Sequence, residues 1–73
     1  MTALLVVELD PGVEPRFAVN ALRQAALVVR ALDVGRCEVV ATVEVENGEA
    51  LEAVVAALRG CHGVRSSTAL AEI

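Results

Sequence analysis

Seventy-three residues with a net charge of −4 make one small acidic domain, and they argue against a nucleic-acid binder: the six cations are arginines scattered at positions 16, 23, 30, 36, 59 and 65. Of these residues 56% are apolar but only Phe17 is aromatic, so the core has to be built from Leu, Val and Ala. A chain this short buries only about 60–65% of its surface on folding, which favours packing against another copy.

From the N-terminus, Ala3 to Leu9 form an apolar run broken only by Glu8, which suits a central strand buried on both faces. The run lacks a basic leader and a small-residue cleavage site, and no stretch approaches the roughly 18 apolar residues of a membrane span. The expected location is therefore the cytoplasm, as a soluble domain. Asp10-Pro11-Gly12 signals a turn, and Glu14-Pro15 opens a helix with proline at a first-turn position that needs no N–H. Ala18, Ala21, Leu22 and Ala25 give this helix an i, i+3, i+4, i+7 stripe flanked by Phe17, with Arg16, Asn20, Arg23 and Gln24 outside. No glycine marks its end.

Leu27 to Leu32 resumes a strand pattern, and Asp33 to Arg36 turns the chain back as a hairpin into the strand Cys37–Glu46. In that strand Cys37, Val39, Ala41, Val43 and Val45 form one apolar row, and Glu38, Val40, Thr42, Glu44 and Glu46 a more polar one. Asn47 is a good N-cap for a second helix, with Glu49 in its first turn and the stripe Leu51, Val54, Val55 and Leu58 facing inward. Gly60 supplies a stop. Val64 to Ile73 is the last strand.

The order β-α-β-β-α-β, with right-handed crossovers, predicts an α+β fold of the ferredoxin-like type: a four-stranded antiparallel sheet, first and third strands central, with both helices on one face. The opposite face then carries Leu4, Val6, Val40 and Thr42 with no helix of this chain to cover them. These four residues are the expected dimer interface.

The candidate chemistry is sparse. Cys37 and Cys61 are 24 residues apart, a spacing that fits neither a zinc site nor a redox pair, and His62 cannot complete a ligand set. Both thiols are expected to act as small buried hydrophobes. Without lysine or tyrosine, and with one histidine, no catalytic constellation forms, so a non-enzyme without cofactor or metal is expected. The carboxylates along the strand face fit a solvated surface that discourages wrong pairing. Glu38 stands apart because it follows the Gly35 turn. A carboxylate there could accept from a ligand's ammonium group while backbone N–H groups exposed at Gly35 hold its carboxylate, with Arg36 between them.

The Pro11-Gly12 entry, the turn Val34-Gly35-Arg36-Cys37-Glu38, the segment Asn47–Leu51, and Leu58, Gly63-Val64 and Thr68 carry a resemblance, over most of the chain, to the ligand-binding (RAM) domain of the Lrp/AsnC family of transcriptional regulators. Val7 through Pro11-Gly12 is similar to the family's V-x-x-x-P-G. Val34-Gly35-Arg36-Cys37-Glu38 is similar to its Gly-x-x-Asp turn, with Glu one methylene longer than Asp. Asn47-Gly48-Glu49-Ala50-Leu51, then Leu58, Gly63-Val64 and Thr68, continue the likeness. The resemblance implies a domain that dimerises through its sheets in the manner of a dimeric α+β barrel and often assembles further. It also implies amino-acid effectors at dimer–dimer contacts near the glycine hairpin, where Gly35 and Glu38 match the motif. The family's DNA-binding domain has no counterpart here, so the expectation is a stand-alone effector-binding regulator, with a full-length Lrp/AsnC-type regulator as a possible partner. An alternative of a different class is the group of small cytoplasmic chaperones of periplasmic nitrate reductase, which this chain resembles in length and in its Gly-Val entry to the last strand. Those bind a twin-arginine signal peptide, which Glu44 and Glu46 could meet. A purely structural oligomer remains a third reading.

Overall fold

The structure, a computed structural model, describes residues 1–72. Its elements are β1 (Thr2–Leu9), α1 (Pro15–Ala25), β2 (Leu27–Gly35), β3 (Glu38–Glu44), α2 (Gly48–Arg59) and β4 (Val64–Glu72). Every strand pair is antiparallel and the order across the sheet is β2-β3-β1-β4, so β1 and β3 are central. Both helices cover one face, which makes this the ferredoxin-like α+β architecture that the element order predicts.

With helices on one side only, strict alternation decides burial. Ala3, Leu5, Val7 and Leu9 of β1 and Val39, Ala41 and Val43 of β3 are buried beneath the helices. Their neighbours Leu4, Val6, Val40 and Thr42 are only half-buried. The expectation that β1 is buried on both faces is therefore corrected: the run is apolar but for Glu8, and among the described residues nothing forms a third layer on its second side. A fully buried Leu contributes about 1.5–3 kcal/mol, so Leu5, Leu9, Leu22 and Leu58, all within the one buried cluster, supply much of what an all-aliphatic core has to offer.

Proline at N1 sets the start of α1, where Glu14 stands at the N-cap without a side-chain bond. Ala18 and Leu22 are its buried residues and Ala21 is half-buried, whereas Ala25 of the predicted stripe and the flanking Phe17 lie exposed. No glycine is needed at its end because Ala26 leaves the helix at φ −155°, an extended conformation open to any residue, and leads straight into β2. In α2 the Asn47 side chain accepts a hydrogen bond from the Ala50 N–H at 2.8 Å, and all four stripe residues are buried as predicted.

Gly60 caps α2 in a right-handed conformation, φ −80°. The left-handed glycine expected of a helix stop comes three residues later, at Gly63 with φ +86°. Gly63 does more than turn. Its carbonyl accepts from the Asp10 N–H at 2.9 Å, and a Cβ placed on it would lie 2.9 Å from Val13 Cγ2. The β1–α1 and α2–β4 loops are thereby locked against each other at one end of the sandwich.

Candidate ligand turn and assembly face

Gly35 pairs with Glu38 across the β2–β3 hairpin, leaving Arg36 and Cys37 as the connecting residues. All three of Gly35, Arg36 and Cys37 have positive φ, +76°, +56° and +62°. Left-handed backbone at both connecting positions is what a type I′ turn requires, and it is the geometry for which Asn-Gly is preferred. Arg and Cys adopt it at a cost of about 1–2 kcal/mol each. The turn is held by Asp33, whose Oδ1 accepts from the Gly35 N–H at 2.9 Å, and by a register shift that bulges Val34. Replacing the pair with Asn-Gly (Arg36→Asn with Cys37→Gly) should therefore stabilise the fold by about 1–2 kcal/mol, seen as a higher urea midpoint at unchanged slope. An unmoved or lowered midpoint would show that these residues are not strained.

This geometry corrects two expectations. Cys37 does not begin β3 or join its buried row; it sits exposed in the turn because the two-residue connection consumes it. Likewise Glu46, on which the strand was expected to end, is exposed and lies beyond β3, which stops at Glu44. Cys61 is half-buried, its Sγ donating to the Ala57 carbonyl at 3.4 Å. For the ligand turn, the Gly35 N–H is already taken by Asp33. The cation of this site is then the exposed Arg36, and its carboxylate is the half-buried Glu38.

Glu38 stands directly opposite Glu8 on β1. Two carboxylates facing each other on adjacent strands repel, a local cost to the sheet. Beyond this acidic row the uncovered face turns apolar. Leu32, Val40, Val6 and Thr68 align as one row across all four strands, since Leu32 pairs with Val40, Val40 with Val6, and Val6 with Thr68. The next row brings Arg30, Thr42 and Leu4 together. At the far end Glu44 accepts a hydrogen bond from the Thr2 hydroxyl. All four residues expected at a dimer interface are thus immediate neighbours in one patch.

Leu32, Arg30 and Glu8 belong to the same surface and were not singled out from the sequence. Leu32 is 44% exposed, and the bulges in β2 at Val29 and Val34 break the alternation that would have assigned it a face. Two cavities lie elsewhere. One of about 600 Å³ is lined by Leu51, Glu52, Val55 and Arg59 of α2 and by Thr68, Ala69 and Glu72 of β4. Another of about 380 Å³ lies between Val13, Phe17 and His62. Neither includes Gly35, Arg36 or Glu38.

The chain matches no protein-family model and no curated protein. Its function has therefore to be argued from the surfaces just described.

Proposed function

We propose that this chain is an association module that pairs with a second copy through its bare sheet face and takes a small ligand, an amino acid, at the Gly35–Glu38 hairpin, as an effector-binding regulator of the Lrp/AsnC type. The observation that carries the reading is the single apolar row Leu32–Val40–Val6–Thr68 on a face that no element of the chain covers. An apolar patch rimmed by charge is the usual mark of an interaction site. Two such faces brought together would supply the second layer that β1 lacks.

The ligand part of the reading rests on Arg36 and Glu38, opposite charges two residues apart on a hairpin that projects from the sheet. Such a pair suits a zwitterion, with the guanidinium taking the carboxylate and Glu38 the ammonium group. Neither cavity described above includes the hairpin, so enclosure would come from hairpins of neighbouring copies. A thermal-shift panel of the twenty amino acids tests this. A ligand present at 100 times its dissociation constant adds about 2.7 kcal/mol to stability. One or a few amino acids should raise the midpoint, and Glu38→Ala should weaken their binding at least tenfold, the loss of about one charge-assisted hydrogen bond. A shift that survives Glu38→Ala unchanged would remove the ligand from this turn.

The acidic rows favour a second reading. Glu8 and Glu38 at one end of the apolar band and Glu44 at the other would suit an amphipathic, arginine-rich segment lying across the face, as in a twin-arginine signal-peptide chaperone. A flat amino-acid panel together with saturable binding of such a peptide would select it.

A further inference from the structure

Apart from the hairpin and the bare face, the fold keeps a groove between α2 and β4 whose walls carry charges of both signs, none with an ion-pair partner among the described residues. We propose that this groove is a ligand site for an elongated zwitterion, a molecule with an ammonium group at one end, a carboxylate at the other and an aliphatic chain between them.

β4 is an outer strand of the sheet, and the groove of about 600 Å³ follows its border with α2. That volume is in the range of small-molecule sites, about 300–1,000 Å³. Its floor is aliphatic, made by Leu51, Val55 and Ala69. Leu51 and Val55 are the least covered members of the buried cluster, each 8% exposed where the others are 4% or less. The core is thus thinnest along the groove, and an aliphatic chain lying there would complete its cover.

The charges are sorted along this floor. Arg59 stands at one end, where its Nε donates to the Ser67 carbonyl at 3.2 Å; that bond fixes the guanidinium and leaves its Nη hydrogens for a carboxylate. α2 and β4 run in opposite directions, so the strand beyond Ser67 heads back toward Gly48, at the other end of the groove. Glu72 arrives there on β4, and Glu52 stands one turn into α2. Glu72 pairs with Ala3 and Ala69 with Leu5, both buried beneath the helices, so Glu72 and Ala69 share the groove side of β4 across its register shift. The preference of helix ends for opposite charge accounts for Arg59 in the last turn of α2 but not for Glu72 on the facing strand. Glu52 lies past the first turn, beyond which the helix dipole no longer opposes an ammonium group. Seven residues of helix separate Glu52 from Arg59, about 10 Å of axis, the span of an extended chain of about eight carbons. The smaller cavity offers no such pattern, because its carboxylate, Glu14, is already paired with Arg16.

Isothermal titration of the full chain with a series of ω-aminoalkanoates of increasing length tests it. Affinity should peak near ω-aminooctanoate and fall about tenfold or more for octanoate and for octylamine, each of which lacks one charged end. Arg59→Gln should weaken ω-aminooctanoate about tenfold and leave octylamine unchanged. The double variant Glu52→Gln/Glu72→Gln should weaken ω-aminooctanoate and octylamine and leave octanoate unchanged. Both carboxylates are exposed and unpaired among the described residues, so this variant should keep its fold, as circular dichroism will report. It carries the decision if Arg59→Gln, which forfeits the bond to Ser67, loses helicity. Glu38→Ala should leave every one of these affinities unchanged, which separates this site from the hairpin. Affinity that is flat in chain length, or unmoved by Glu52→Gln/Glu72→Gln, overturns the assignment, and so does a series with no member bound at millimolar concentration.

Discussion

Gly63→Ala should destabilise the fold by about 2–4 kcal/mol, roughly 1–2 from holding a residue with a Cβ at positive φ and the rest from overpacking. Both contributions are visible at the site. Gly63 has φ +86°, and the added carbon would approach Val13 Cγ2 to 2.9 Å and Cγ1 to 3.2 Å. Val13 is short and β-branched, so it cannot swing its methyls aside as a longer side chain would. The backbone cannot easily move either, because the Gly63 carbonyl is bonded to the Asp10 N–H. For a chain of this size, with total stability on the order of 4–11 kcal/mol, that is a large fraction. Val13→Ala should partly rescue it by removing the clashing methyls, leaving the cost of the left-handed backbone. Chemical denaturation of the four proteins of this cycle measures both parts. A Gly63→Ala penalty of the same size in the Val13 and the Val13→Ala backgrounds would place the whole effect in the backbone.

Val40→Arg should halve the mass of the assembly at micromolar concentration while leaving the fold intact. Val40 lies at the middle of the apolar row, between Leu32 and Val6, and is half-buried in the single chain, so an arginine there is solvated when the chain is alone. In a face-to-face dimer it would be buried without a carboxylate partner, at a cost of several kcal/mol per copy. The carboxylates of that surface are in other rows, Glu8 and Glu38 toward the hairpin and Glu44 toward the other end. Light scattering with circular dichroism separates the outcomes. A folded variant of unchanged mass would move the interface to another surface.

The sequence pattern was most informative where one face is plainly buried. The α2 stripe and its Asn47 cap, the buried residues Val39, Ala41 and Val43 of β3, and the order of elements follow from periodicity and capping, whereas the apolar run of β1 gives no sign of which of its faces is buried. It was least informative at the edges. β2 carries two bulges and little burial, so its alternation does not report a face, and Leu32 and Arg30 went unassigned. Cys37 continues the parity of Val39, Ala41 and Val43, but a two-residue turn with positive φ at both positions claimed it, and nothing in Arg-Cys advertises that conformation. Gly60 and Gly63 illustrate the same limit. Either glycine could have made the left-handed turn, and the contact that requires it, with Val13, comes from a loop fifty residues earlier in the chain. At the candidate site, the residues of the bare face could be grouped from alternation alone. The Glu8–Glu38 opposition could not, since it depends on the register between strands separated by a helix and a hairpin.

The placement of β1 between β3 and β4 also has a kinetic consequence. The β1–β4 ladder joins Ala3 to Glu72 and Leu9 to Val64, so its contacts span nearly the length of the chain. Closing so long a loop costs entropy before any of those hydrogen bonds form, and mixed α/β domains rich in such pairings fold more slowly than helical bundles. During synthesis β1, α1 and the β2–β3 hairpin leave the ribosome while β4 is still being made. Over that interval β1 has one partner instead of two, and its other edge is free to meet a neighbouring nascent chain.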